Sequence, residues 1–517
     1  MALDSDGNLI MVGEFRAARD QAPPFDFDPT KGEVLFPTTR WSDAFITKFR
    51  PDGRHVWTRV IAGEGEEYAL GVAVDRMGDI YVTGAFENNR TYTVDFDPTK
   101  GVDRRELVGA SDVFITKLRA DGSYGWTHTI GAYFFDKGQG VAVNGQGDVF
   151  VTGAVGVGRI DFDPEKGEDW KTTSTFTVFV SKFQSDGDYE WTVTNRGEGY
   201  AVAATDDGGV VVGGRQDGIF TMRVDAEGGR EWSHYLRSDV NSGHARDVAI
   251  TPDGGVVVSG RMYGTTDFDP GPGVDERTDP GDGGVFVTKY AADGNYLWTY
   301  TPGNNEEDAS AESIAVGPSG QIFVTGEFSL TMDFDPDGKG DVKYAVGVGD
   351  AFVTTLEPDG QYGGWTATCS SSQTVKGYAI AVDKNEDLFF AGYFTRTVDF
   401  NPTPGVDWRD AEFHDLFVSR LNCGGCDVLT GHQAVSMPQG VLSRVQTSLR
   451  GGRVKVGCAG PSGKESGRSH IRDNGTATLR VRPLQSGHYD CAIRRITGQR
   501  GHDVCRGRYS SRSVRVE

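Results

Sequence analysis

Seven copies of one β-rich run, each closing on glycine, constrain this chain more than any other feature. The copies are Asn8–Gly13, Asp79–Gly84, Asp148–Gly153, Gly209–Gly214, Gly255–Gly260, Gln321–Gly326 and Asp387–Gly392. Repeats of this length report one structural unit that cannot bury its apolar face alone. Within each unit the sequence predicts four strands. The first is a small apolar run such as Gly71-Val72-Ala73-Val74, and the second is typified by Ile80-Tyr81-Val82-Thr83. The third is Val113-Phe114-Ile115-Thr116-Lys117, whose alternation marks a half-buried strand. An Asp-Gly or Glu-Gly hairpin follows, as at Asp121-Gly122, because glycine tolerates the positive φ of such turns. A tryptophan then opens the outer strand in six copies: Trp57, Trp126, Trp191, Trp232, Trp298 and Trp365. These are expected to pack between units. Short strands with small residues on the first one favour a closed ring, which removes exposed sheet edges. The fold class is therefore all-β, a seven-bladed β-propeller over residues 1–421.

The recurring (Val/Ile)-Ala-(Val/Ile)-Asp, (Tyr/Phe)-Val-Thr-Gly, Asp-Phe-Asp-Pro and Phe-(Ile/Val)-Thr-Lys elements resemble the SBBP repeats, a family named for a seven-bladed β-propeller. The resemblance implies the fold and leaves function open, since propellers host unrelated activities.

Six units carry an insertion between the second and third strands, built around Asp-Phe-(Asp/Asn)-Pro. The copies begin at Asp26, Asp95, Asp161, Asp267, Asp333 and Asp399, with Asp28, Asp97, Asp163, Asp269, Asp335 and Asn401 two residues on. Five have a further acid eight residues after the first: Asp103, Asp169, Asp275, Asp341 and Asp407. In the first unit the nearest acid is Glu33, one position early, and the fourth unit has no insertion. Oxygen ligands so spaced suit a hard cation, and Ca²⁺ accepts carboxylates, carbonyls and water together. These residues are the candidate metal ligands. The same pattern also suits a turn whose aspartates cap their own backbone while phenylalanine packs inward. Because second-to-third loops leave the ring on the face that carries the connections between blades, that face is expected to gather negative charge.

Charge divides the chain. Residues 430–517 hold 16 Lys and Arg against 5 Asp and Glu, so the first 429 residues carry −33 of a total of −22. An acidic body repels phosphate and argues against nucleic acid as ligand. No run of about 18 apolar residues is present to span a membrane as a helix. Residues 422–429 form a linker. After it, Leu484-Gln485-Ser486-Gly487-His488-Tyr489-Asp490-Cys491 resembles the E–F region of immunoglobulin-like domains. That resemblance implies a small disulfide-bonded β-sandwich over 430–517, with Cys458–Cys491 as its inter-sheet disulfide and Ser513–Val516 as its last strand. The pairing of Cys369, Cys423, Cys426 and Cys505 stays open. Six cysteines suit an exported protein.

The chain begins inside a repeat, and blade 7 lacks an outer strand. Either residues ahead of Met1, including an export signal, complete the ring, or blade 7 has three strands or is closed by Cys423–Leu429. No nucleophile elbow, P-loop, HExxH or dinucleotide fingerprint occurs. His244 and His414 are the histidines placed to face the ring. The expectation is a non-catalytic scaffold or adhesion module, extracellular or at the cell surface, binding a protein or glycan partner. The alternative is a polysaccharide hydrolase or lyase using the central cleft.

Overall fold

The computed structural model describes residues 1–16, 24–30, 32–37, 41–88, 92–165, 167–304, 308–338, 340–400 and 407–422, and beyond these the backbone of eight C-terminal strands. The chain divides into two compact units: residues 1–383 with 389–419, and residues 420–517 with 384–388.

The first unit is a seven-bladed propeller. Six blades are four-stranded antiparallel sheets in sequence order. Blade 2 is representative, with strands Glu66–Val74, Ile80–Glu87, Ser111–Leu118 and Tyr124–Ile130. Blade 7 has three strands among the described residues, Val375–Val382, Asp387–Asp399 and Trp408–Asn422; Cys423–Leu429 lie outside them. The seven first strands neighbour one another in turn, and that of blade 1 (Ala2–Leu3) touches those of blades 2 and 7, closing the ring. Phe389 and Ala391 of blade 7 share one apolar cluster with Leu9, Met11 and Phe45 of blade 1.

The repeated residues have separate structural duties. The inner strands of blades 2 to 6 each carry a β-bulge, with the register slipping between Ala69 and Gly71, Gly138 and Gly140, Gly199 and Ala201, Ala245 and Asp247, and Ala311 and Ser313. The repeat-marking glycine faces it: a Cβ on Gly84 would stand 1.7 Å from the Tyr68 carbonyl oxygen, and one on Gly153 1.9 Å from that of Lys137. Only glycine admits that approach. The preceding threonine spans to the third strand, where Thr83 Oγ1 donates to the Phe114 carbonyl at 2.8 Å and Thr152 Oγ1 to that of Phe179 at 2.7 Å.

The tryptophans and third-strand lysines join blades. The indole N–H of Trp126 donates to the Ser185 carbonyl at 3.2 Å, and that of Trp191 to Ala226 at 3.0 Å, each in the hairpin of the next blade. Lys117 Nζ reaches the same Ser185 carbonyl at 2.9 Å while pairing with Asp79 of its own blade at 2.9 Å. Trp191→Phe keeps the ring and deletes the donor. It is expected to cost about 1 kcal/mol, read as a lower urea midpoint at constant slope.

The C-terminal unit contains two antiparallel sheets. One holds Gly431–Met437, Gly440–Gln446 and Thr476–Val481; the other holds Gly463–His470, Arg453–Gly460, Gly487–Thr497 and Asp503–Arg506, with Ser511–Val516 also on Gly487–Thr497. Cys458 and Cys491 stand opposite each other on adjacent strands of one sheet. The inter-sheet position expected of an immunoglobulin-type disulfide does not arise, because that bond needs its cysteines on facing sheets. The pairing of Cys423, Cys426 and Cys505 concerns side chains outside the described residues. Cys369, in the propeller, is buried and has no disulfide partner among the described residues. Among the described residues no helix is long and apolar enough to cross a membrane.

Candidate functional site

The acidic insertions fold as short hairpins whose first aspartate caps the turn. Asp95 Oδ1 accepts from the backbone N–H of Asp97 at 3.2 Å and of Asp103 at 2.9 Å. Asp161, Asp267 and Asp333 repeat this with Asp163 and Asp169, Asp269 and Asp275, and Asp335 and Asp341. Asp399 likewise accepts from Asp407 N–H at 2.8 Å; Asn401 lies outside the described residues. The second aspartate caps the residue two further on, as Asp97 does Thr99 at 2.9 Å and Asp269 does Gly271 at 2.8 Å.

Blade 1 isolates the cause. Asp26 Oδ1 accepts from Asp28 N–H and from Val34 N–H, both at 2.9 Å, with valine where the other loops place their last acid. The turn therefore needs the backbone N–H at that position and not a third carboxylate. Glu33 makes no part of this pattern.

Where the last acid is present, it is already partnered. Asp103 receives Tyr124 Oη–H and pairs with Arg105 at 3.0 Å; Asp169 receives Tyr189 Oη–H at 2.5 Å and pairs with Lys171 at 2.8 Å. Asp275 and Asp341 receive Tyr296 and Tyr362 and pair with Arg277 at 2.9 Å and Lys343 at 2.7 Å, while Asp407 pairs with Arg409 at 2.9 Å. Among the described residues no group of three or more His, Cys, Asp or Glu stands where it would hold a metal ion.

These tyrosines also correct the expected placement of the loops. Tyr124 pairs with Leu118, the last residue of the third strand, so it lies at the ring face opposite the loop's departure point. The insertion folds back along its blade, led by phenylalanine: Phe96, Phe162, Phe268 and Phe334 are fully buried, Phe96 against Phe86 and Phe114. Folding back brings the last acid of each loop to its tyrosine, while in blade 6 Asp333 still pairs with Gly303 of the connection between blades; the basic residue two positions after the last acid offsets its charge.

What occupies the connection end of the axis is a band of bulge and neighbouring side chains. The bulged residues Tyr200, Arg246 and Glu312 are unpaired in the ladder and re-aimed by it. Arg246 lies over the Tyr200 ring at 5.4 Å and 3.7 Å from Glu312. Lys376 meets Glu312 at 3.1 Å and Glu327 at 2.6 Å, and covers Tyr378 at 5.3 Å. Tyr378 reaches Tyr393 at 5.6 Å, which reaches His414 at 5.5 Å. On the other arc Lys137 covers Tyr68 at 5.2 Å and approaches Glu87 at 3.7 Å. The contacts that step between blades form two arcs, one from blade 4 through blade 7 and one joining blades 2 and 3.

Its electrostatics follow from this crowding. Burial, reinforced by Arg246, Arg261 and Arg215, pushes His244 down to about 3, so its imidazole is neutral. Burial works to raise Glu312, but Lys376 and Arg246 outweigh it and hold the carboxyl below its usual range. His244 lies between Tyr200 at 6.0 Å and Tyr263 at 6.5 Å, and its Nε2 is buried without a hydrogen-bond partner among the described residues. Of this band only His244 and His414 were singled out from sequence. The signal for the rest is variation: the bulge position reads Leu70, Gln139, Tyr200, Arg246 and Glu312 in successive blades whose neighbours repeat closely.

No protein-family model matches the chain. It is 22% identical over 447 residues to an uncharacterized WD repeat-containing protein of Acanthamoeba polyphaga mimivirus, covering 76% of this chain and 30% of that one. It is 28% identical over 144 residues to the regulatory protein FlaEY of Caulobacter vibrioides, covering 27% of this chain and 15% of the other. The chain thus spans less than a third of the length of these curated relatives. Among solved structures it is similar to the Swd1 β-propeller domain of Myceliophteria thermophila, with a TM-score of 0.35 at 9% identity, covering 82% of this chain and 98% of that domain. A similarity that low says nothing about function.

Proposed function

We propose that the ring is a non-catalytic binding scaffold of SBBP type, acting outside the cell or at its surface, and that it engages its protein or glycan partner through the axial band. One observation carries this reading. The frame residues repeat from blade to blade, whereas the bulged side chains that meet at the axis differ. A rigid ring with a variable centre is the arrangement of a recognition surface set on a scaffold. A glycan array and a pull-down with the full chain test it. Expected is a ligand whose retention falls when Tyr200 and Arg246 are both changed to Ala; a ligand retained equally by that variant moves the surface elsewhere. Release of new reducing ends from a polysaccharide would overturn the non-catalytic assignment in favour of a hydrolase or lyase.

For the acidic loops, the capped backbone and the Tyr and Arg or Lys partners support a structural turn over a Ca²⁺ site. Millimolar Ca²⁺ and EDTA are each expected to leave the melting temperature unchanged. A rise with Ca²⁺ that EDTA reverses would restore Asp95, Asp97, Asp103 and their counterparts as ligands.

A further inference from the structure

We infer that an exposed aromatic platform on the connection between blades 2 and 3 binds a neutral oligosaccharide. The platform shares no residue with the axial band, so the inference goes beyond the reading above and is tested separately from it.

Residues 131–136 run from the outer strand of blade 2 to the inner strand of blade 3. The corresponding connections hold Glu64 and Glu66 before the inner strand of blade 2, and Ser370, Ser371 and Ser372 before that of blade 7, so the frame needs no aromatic residue there. This connection holds Tyr133, Phe134 and Phe135, exposed by 79%, 46% and 52%. Backbone bonds pin the loop that carries them. Ser111 N–H donates to the Phe134 carbonyl at 3.4 Å, and Asp136 N–H to that of Ser111 at 3.1 Å. The buried Asp136 carboxyl group accepts from Ala132 N–H at 2.6 Å and from Gly156 N–H at 2.7 Å. Rings on so constrained a loop are placed before any ligand arrives, which lowers the ordering cost of binding.

Neighbouring backbone extends the platform. A Cβ on Gly156 would stand 2.6 Å from Phe134 Cβ, and one on Gly109 1.9 Å from the Ala132 carbonyl oxygen, so blades 2 and 3 both close on the loop. That seats Val108 and Val157 beside the rings, and the pairing of Val155 with Thr177 places Phe176 next to Gly156; all three are exposed. Thr173 Oγ1 donates to the Gly156 carbonyl and leads into Ser174 and Thr175, exposed hydroxyl residues at the border.

Charge and area restrict the occupant. Residues 107–111, 130–135, 153–158 and 172–178 contain no charged side chain, inside a body of charge −33. A charged partner finds no counter-charge there, and an anionic one is repelled by the body. The exposed apolar side chains present roughly 500 Å², short of the about 800 Å² per partner of a stable protein interface. A second copy would have to extend its contact onto flanks of like charge. A small, uncharged ligand with apolar faces and many hydroxyls meets every condition. A pyranose chain turns its C–H faces to the rings and its hydroxyls to Ser174, Thr175 and Tyr133 Oη.

The test is calorimetric titration of the full chain with cellohexaose and with maltohexaose, against tetragalacturonate as the anionic comparator. Expected is binding of at least one neutral sugar and none of tetragalacturonate. Tyr133→Ala combined with Phe135→Ala is expected to weaken that binding about tenfold at an unchanged melting temperature, because backbone bonds hold the loop. Tyr133→Ala alone, at the most exposed ring, gives the same direction should the double variant melt lower. Absence of binding by both neutral sugars, binding indifferent to these variants, or equal binding of tetragalacturonate overturns the inference. Self-association in sedimentation, or binding to phosphatidylcholine vesicles, that the double variant abolishes while no sugar binds assigns the platform to another occupant and overturns it too. Neutral-sugar binding lost in Tyr200→Ala with Arg246→Ala, yet kept in the Tyr133 and Phe135 variant, also overturns it but leaves the scaffold reading standing.

Discussion

Between about pH 7 and about pH 8, above the range in which its neutral histidines titrate in the unfolded chain, the propeller is expected to lose stability as pH rises, against the usual pattern for an acidic protein. The cause is a set of carboxyl groups buried between blades. Glu67, fully buried in blade 2, accepts from Gly63 N–H at 2.9 Å and from Tyr92 Oη–H at 3.1 Å. Burial, with Asp43 nearby, pushes it up to about 8. Asp112, raised to about 7 by burial with Asp136 adding, faces Asp136, itself raised to about 6 by burial. In the unfolded chain these groups release their protons near pH 4. From there up to the folded values, the native ring holds protons that the unfolded chain has lost. Their stabilising contribution is therefore whole below pH 4 and disappears as pH rises through 6, 7 and 8. Each pH unit is worth about 1.4 kcal/mol per group over that window; below about pH 6.5 the histidines that burial holds neutral, His244, His128 and His234, work in the opposite direction and offset it. Thermal unfolding of the native chain and of Glu67→Gln across this range checks the account. The variant is expected to melt higher than native at about pH 9 and to show a shallower slope. An unchanged slope would remove Glu67 as a cause.

The second large effect lies in the acidic loops, and it belongs to the phenylalanine. Phe162 is fully buried, 5.6 Å from the Phe179 ring, in a cluster that includes Ile130 of the preceding blade. Phe162→Ala is expected to cost about 3–5 kcal/mol, because the loop loses its anchor and two blades lose a shared contact. Asp161→Ala removes the acceptor for two backbone N–H groups and is expected to cost about 1–2 kcal/mol. Asp163→Ala frees only the Glu165 N–H, held at 3.1 Å, at an exposed position, and should cost least. Urea unfolding of the three variants gives the order directly. Asp163→Ala proving the most damaging would mean that its carboxylate holds something other than its own turn.

Much of the frame was legible in the residues because repetition exposes obligations of the backbone. A glycine that recurs seven times marks a place where no Cβ fits, and Gly84 beside the Tyr68 carbonyl is such a place. Recurring tryptophans marked contacts between blades, and Trp126 and Trp191 make them. The role of Lys117 was equally visible as a repeated letter but not as a bond, since its acceptor lies in the next blade's hairpin, 68 residues away.

The acidic loops show where such reading stops. Asp103, Asp169 and Asp275 have ligand spacing along the chain, yet each is taken up by a tyrosine about twenty residues later and by a cation two residues later. Spacing cannot reveal that the loop folds back to meet that tyrosine. The axial band was hidden for the opposite reason. Tyr200, Arg246, Glu312 and Lys376 share no motif, and nothing local separates them from ordinary surface residues until ring closure brings successive inner strands together.

The sequence by itself determined the number of blades, the strands within them and the turns between them, because these depend on local sterics and on periodic burial that every copy restates. Only the tertiary structure decided which aspartates cap, which are neutralised, and which unlike side chains meet at the axis. Those outcomes depend on partners supplied by other strands or by neighbouring blades, and electrostatic and hydrogen-bond partners are set by distance in space, which closing a ring rearranges completely.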